Sequence, residues 1–358
     1  MTTVPTSPEP PLALASHPLF VVGMWRSGTS LLYTLLNQHP RIALLYEDDI
    51  ALLWPMFRLR RSGVDWRRRW EFWNGALSRH RIDPKQLPPQ ADAKTAFATA
   101  CGVYAAGKSA SVWGCKSPNY YDCLGRLAEE FSQARFIVIW RNPADICNSI
   151  LEAAQSEPWF AQSGMCLRAL LGFRELKGQC DLLRSRGAAL LEIEYDDLVS
   201  STHPVMARIC DFLELPFDQR MTSPAGADRS AIYGGRHHAL VKSGSVVPSR
   251  ARPKLVPQEF REKIDRYVCL WRHQFNAQWP RFTGAETCGQ KEPGRWERSR
   301  DGMLYRGLRL RDRAVPFAYA VAPLPLWSLY RAWKRRRFAT VSPDEPASSS
   351  RHSVDSTR

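Results

Sequence analysis

The sequence predicts an α/β protein in which helices flank a central parallel β-sheet, with a helical cap inserted on one side. Three observations predict it. Short apolar runs alternate with helical patterns along most of residues 18–213, the rhythm of βα units. The strongest run, RFIVIW at 135–140, continues without polar alternation, as a strand covered on both faces does. The first run, PLFVVG at 18–23, ends in glycine and leads through a short turn into a helix.

The elements follow in order. Residues 1–16 are rich in Pro, Ser and Thr and read as a disordered leader. After the PLFVVG strand, TSLLYTLLNQHP places Leu31, Leu32, Leu35 and Leu36 at helical spacing until Pro40 stops the helix. Residues 51–110, crowded with Trp and Arg, read as the cap. SVWGCK (111–116) is the next strand and RFIVIW the one after, followed by a helix from Pro143 with Asn142 as its N-cap. LLEIEY (190–195) supplies a further strand and His203 to Leu213 a further helix. Residues 219–257, rich in Gly, Ser, Pro and Arg, read as a long functional loop. A main domain over 17–285, a basic and apolar C-terminal extension over 286–341 and a disordered tail over 342–358 complete the division.

Composition narrows the partners. With 50 Lys and Arg against 35 Asp and Glu, the 358-residue chain carries +15, a charge that attracts anions at long range. Hydrophobic residues at 44% and charged residues at 24% exclude wholesale disorder. The nine cysteines are scattered, without zinc spacing, and read as reduced thiols. The N-terminus has neither a basic n-region nor an uninterrupted apolar run, so the expectation is a cytoplasmic protein.

Gly23-Met24-Trp25-Arg26-Ser27-Gly28-Thr29-Ser30 joins the first strand to its helix. Glycines there let backbone N–H groups approach a phosphate, and the helix N-terminus attracts its charge. Gly23 and Gly28 keep the GxxxxG spacing of a P-loop, but Thr29 stands where a Walker lysine belongs. Arg26 offers a cation from another direction.

WRSGTSLLYTLLNQHP resembles the 5'-phosphosulfate loop of the sulfotransferases that use 3'-phosphoadenosine 5'-phosphosulfate (PAPS). RFIVIWRNPADICNSI resembles their 3'-phosphate motif, WGCKSPNY their lysine-bearing strand, and IEYDDLVSSTHPVMARICDFLELPFD a later segment. Order and spacing agree over roughly 18–220. The resemblance implies the P-loop NTPase-like sulfotransferase fold, PAPS as co-substrate, no metal, and transfer of a sulfuryl group to an acceptor hydroxyl. It implies that Arg26, Ser27, Gly28, Thr29 and Ser30 hold the 5'-phosphate end, while Arg141 and Ser149 hold the 3'-phosphate. Tyr195 falls at the nucleotide site, and Lys242 and Ser243 in the long loop are further cofactor contacts, with Ser245 beside them. Some relatives carry an Arg where this chain has Ala153.

Sulfuryl transfer needs cations at the leaving phosphate, donors on the sulfonyl oxygens and a base for the acceptor proton. Arg26 and, by similarity to the tyrosylprotein branch, Lys116 are the cations. Glu47 in LLYEDDI is the base of choice, with Asp48 as alternative because the offset from His39-Pro40 is one residue longer than in that branch. His237 and His238 are the runners-up. Two rival functions remain at this stage. One is a nucleotide kinase or NTPase with a variant P-loop, and the other is a non-catalytic binder of acidic polymers.

Trp66, Trp70 and Trp73 share one helical face and either pack on the core or line an acceptor cleft. AVPFAYAVAPLPLWSLY (314–330), flanked by basic runs, is either a packed helix or a peripheral membrane contact. The acceptor stays open between a glycan, a lipid, a protein tyrosine and a small molecule; a nucleic-acid partner is not expected.

Overall fold

The computed structural model describes residues 17–50, 67, 70–71, 75–88, 92–232, 254–275, 280, 292–321, 325–330 and 332. Residues 1–321 and 322–358 form two compact units, and everything below concerns the first unless stated. His237, His238, Lys242, Ser243 and Ser245, and also Trp54, Trp66 and Trp73, lie outside the described residues.

Five strands, β1 (Leu19–Val22), β2 (Ile42–Tyr46), β3 (Val112–Lys116), β4 (Arg135–Trp140) and β5 (Ala189–Glu194), form one sheet in the order β2-β3-β1-β4-β5. Every pairing is parallel. The apolar runs of β1 and β4 are continuous because both faces of the sheet are covered. On one face, Phe20 meets Phe97, Phe131, Phe136 and Tyr120 at centroid distances of 5.5–6.4 Å. On the other, Leu19 and Val21 belong to a core cluster with Leu32 and Leu36 of α1 (Thr29–Leu36) and Ile209 of a later helix. Phe97 lies on α2 (Ala93–Ala106), so this last part of the 51–110 segment covers the sheet directly.

The other helices of six residues or more are α3 (Leu124–Glu130), α4 (Pro143–Ala154), α5 (Met165–Ser185), α6 (Tyr195–Ser200), α7 (Thr202–Leu213), α8 (Gln258–Phe275) and α9 (Arg295–Val321). α4 starts where the sequence marks it: the Asn142 side chain accepts from Ala144 N at 2.9 Å and Pro143 occupies the first turn. Trp70 is fully buried and donates from Nε1 to Asp48 O at 2.8 Å, so this indole packs as core. Seven described cysteines are free thiols. Cys269 is disulfide-bonded, which departs at that position from the all-thiol expectation.

The strand order fixes where a ligand would bind. β1, β2 and β3 build one side of the sheet, while β4 returns to the opposite edge of β1. That reversal is a topological switch point, and crevices for ligands open there at the carboxyl ends of the strands. Because all five strands are parallel, those ends share one edge.

Candidate active site

Each strand delivers a polar group or loop to that edge. β1 runs into the Gly23–Ser30 loop, β2 into Glu47, β4 into Arg141 and β5 into Tyr195, while Lys116 is the last residue of β3. The loop is tight: Ser27 N donates to Met24 O at 3.0 Å, and Arg26 takes φ 68°. Gly28 is the N-cap of α1 at φ 104°, with no side-chain cap and no acid in the first turn. The first amide donors of α1 thus keep an unopposed positive end for an anion. Ser27 is buried, and its Oγ has no hydrogen-bond partner. A buried hydroxyl without a partner costs about 1–3 kcal/mol, and a phosphate oxygen in the loop would satisfy it.

The second corner meets the first. Arg141, only 3% exposed, donates from a terminal guanidinium nitrogen to Arg26 O at 2.8 Å. Its guanidinium lies 4.4 Å from the centroid of the Tyr195 ring. Arg26 Nε donates to Ser149 Oγ at 3.0 Å, so Arg26 turns toward α4. Asn148 Oδ1 accepts from Leu255 N and Val256 N at 2.7 and 2.8 Å, which fixes the exit of the 219–257 loop beside Ser149. Sequence reasoning missed Asn148, since its partners are more than a hundred residues away.

The third part surrounds Glu47. Lys116, with no exposed surface, donates from Nζ to Glu47 Oε1 at 2.6 Å and lies 3.8 Å from the Tyr46 ring centroid. Tyr46 OH and Ser30 Oγ are 2.8 Å apart, joining this pair to the phosphate loop. Burial pushes the Lys116 amine below its ordinary value, while Glu47 opposes the shift. Glu47 has φ 46°, and the bend is held from both sides. Its N–H donates to Lys116 O at 2.7 Å, and Arg79 donates to Tyr46 O at 2.9 Å and Glu47 O at 3.3 Å. His80 Nε2 accepts from Tyr46 N at 2.8 Å, and burial pushes this imidazole down to about 3. Neither Arg79 nor His80 carries a signal in the sequence.

Asp48 and Asp49 diverge from Glu47. Asp48 is buried, and both its oxygens accept from Tyr120 OH at 3.0 Å. Asp49 accepts from Ser117 Oγ at 2.8 Å and from Asn119 Nδ2 at 3.2 Å. Burial first, and then the Glu47 charge, push its carboxyl up to about 7. Asn119 Oδ1 in turn accepts from Trp25 Nε1 at 2.9 Å, so the phosphate loop also touches this cluster.

A model described as "Sulfotransferase family" matches residues 18–219, more than half of the chain. The chain belongs to the sulfotransferase family. This sulfotransferase therefore has transfer of a sulfuryl group as its reaction class. Its fold is similar to the sulfotransferase domain of the Synechococcus PCC 7002 olefin synthase, at 21% identity and TM-score 0.48, covering 78% of this chain and 96% of that one. The sulfotransferase STF9 from Mycobacterium avium is 15% identical with TM-score 0.43, over 73% and 77% of the two chains. A retinol dehydratase solved with retinol and PAP is 13% identical with TM-score 0.37, over 74% and 83%. No curated protein matches the sulfotransferase by sequence.

Proposed function

We propose that the sulfotransferase takes its sulfuryl group from PAPS and passes it to an acceptor hydroxyl, with Glu47 as the base. The reading rests chiefly on the contact of the two strand-to-helix corners through Arg141 and Arg26 O. Such a junction suits a donor that carries a phosphate at each end of one nucleoside. Arg141 and Ser149 hold the 3'-phosphate, with Arg well matched to phosphate geometry. The α1 N-terminus, with Ser27, Thr29 and Ser30, holds the 5'-phosphate.

The two cations separate in role. Arg26 Nε bonds Ser149, which favours the nucleotide side for this guanidinium. Lys116, joined to the loop through Tyr46 and Ser30, is the better placed to neutralise charge on the departing phosphate oxygen. Glu47 accepts the acceptor proton as the new oxygen–sulfur bond forms and the bond from sulfur to the bridging oxygen breaks. Asp48, whose oxygens are taken by Tyr120 inside the core, is the weaker candidate for base. Lys242 and Ser243 are kept as donor contacts on the resemblance alone.

The test is a melting comparison of the full chain with adenosine 3',5'-bisphosphate, AMP and ATP with magnesium. A ligand at one hundred times its Kd stabilises by about 2.7 kcal/mol, and only the bisphosphate is expected to do so. Arg141→Ala should remove most of that gain. Equal shifts from ATP with magnesium would favour a kinase, and no shift from any nucleotide would refute the proposal.

A further inference from the structure

We propose that the outward face of α9 is an in-plane docking surface for an anionic lipid bilayer. The inference does not rest on the proposed donor or base. α9 is 27 residues long, about 40 Å at 1.5 Å per residue, and its two sides differ in kind. The inward side is built of ion pairs. Asp301 is 1% exposed and accepts from Lys263 Nζ at 2.6 Å and Tyr267 OH at 3.2 Å. Glu297 pairs with Arg266 at 3.0 Å, Asp312 with Arg168 at 2.6 Å, and Arg309 with Asp122 and Glu175. Glu297, Asp301 and Asp312 are the only acids in the helix, and each has a basic partner from the body of the protein.

The outward side carries an apolar line instead. Trp296, Met303 and Leu310 follow at intervals of seven and are 74%, 62% and 71% exposed. Exposed Ala314 and Ala318 extend the same line. Such a row of large apolar side chains in water is unfavourable, roughly 25 cal/mol for each Å² that burial would remove. Arginines flank it on both sides. Arg300 lies over the Trp296 ring at 5.2 Å, Arg311 stands on the same flank, and Arg306 is exposed on the other. Arg300 and Arg311 also reach Asp301 at 3.3 Å and Asp312 at 3.5 Å, but both acids turn to the inward side, so among the described residues of α9 the outward face itself carries only cations. The large side chains of the row, Trp296 to Leu310, span about 21 Å at 1.5 Å per residue before Pro316, and, flanked by cations, they fit a surface that is negative above and apolar beneath. Amphipathic interfacial helices have this pattern, with Trp at the boundary.

The test is sedimentation of the full chain with vesicles of phosphatidylcholine alone, and with about 30% phosphatidylglycerol, at about 0.1 M salt. Binding is expected to the mixed vesicles and at least about tenfold less to the neutral ones. M303D/L310D should lower the partition by at least about tenfold. R300Q/R306Q should lower it by about 30-fold and flatten its salt dependence, at about a fivefold effect per arginine. Both double variants change exposed positions, so their melting midpoints should stay within about 2 °C of the parent. Three results would overturn the proposal. The first is no preference for anionic vesicles. The second is full binding by M303D/L310D, with loss only in L326D/L329D, the exposed leucines of the helix at 325–330 in the second unit. The third is equal binding to soluble polyglutamate with the same sensitivity to both variants, which would mark an acidic protein partner.

Discussion

Gly28→Ala tests the geometry at which the phosphate loop, Tyr195 and Arg141 meet. A Cβ at this position would stand 2.4 Å from Tyr195 Cδ2 and 2.8 Å from Cε2, on a backbone at φ +104°. The left-handed conformation costs an L-residue about 1–2 kcal/mol. Displacing a packed ring adds about 1–3 kcal/mol. The sum is about 2–5 kcal/mol. At about 2 °C per kcal/mol, suited to a domain of this size, the melting midpoint should fall by roughly 4–10 °C. The displaced ring also loses the Arg141 guanidinium stacked 4.4 Å from it. Such a contact contributes about 0.5–2 kcal/mol, so bisphosphate affinity should fall roughly 2- to 30-fold. A double-mutant cycle with Tyr195→Ala isolates the clash. Without the ring, Gly28→Ala should cost only its backbone share. A midpoint within about 1 °C of the parent, or an identical loss in both backgrounds, would refute the reasoning.

Two further outcomes follow from the acids at the same edge. Glu47→Gln keeps a group that can accept from Lys116, so the bisphosphate-induced melting shift should persist while turnover falls about 10²–10⁴-fold; near-parental turnover would remove Glu47 from the base role. Asp49, pushed up to about 7, holds its proton in the folded state over a range where the unfolded carboxyl has lost it. Stability should therefore decrease as pH rises from about 4 to about 7, by an amount on the order of 4 kcal/mol from this group. Asp49→Asn should flatten that slope in melting scans between about pH 5 and 8, above the range where Asp218, held down to about 2 by Arg220, titrates. An unchanged slope would show that Asp49 is ionised throughout.

Four strands were legible because each is a compact apolar run with a clear ending. β2 was not read as a strand. Its five residues, IALLY, lie between a helix-stopping His39-Pro40 and three acids. Periodicity over so short a run does not separate strand from approach to a helix, and only pairing with β3 settles it. The candidate-site groups that adjoin strand ends, such as Arg141 and Lys116, were within reach of motif reading. Those that hold Glu47 and Ser149 were not. Arg79 and His80 reach back over thirty residues to Tyr46, and Asn148 reaches forward over a hundred to the end of the long loop. Such partners are chosen by the sheet order, which brings distant segments to one edge, and leave no local pattern. The different surroundings of Glu47 and Asp48 were likewise beyond spacing, because consecutive residues at a strand end point in different directions. Burial separates them: Asp48 turns into the core against Tyr120, and Glu47 toward Lys116.

The cost of building this edge is itself informative. Of the six non-glycine residues with positive φ among the described residues, Arg26, Glu47 and Asp49 all lie here. A buried ammonium stands beside them, burial drives the carboxyls of Asp48 and Asp49 up, and the Ser27 hydroxyl has no partner. Backbone strain contributes on the order of 1–3 kcal/mol at each such residue, and unmatched polar groups add to it. A sequence shaped by stability alone would place apolar residues and ordinary turns at a sheet edge. Where local rules fail together, a functional demand is the usual physical reason. The positive groups here are arranged around the α1 N-terminus and the Arg141 corner, so an anion bound there offsets part of the cost. It follows that binding of a doubly phosphorylated nucleotide should stabilise this edge, and the loop that Trp25 and Arg26 carry with it.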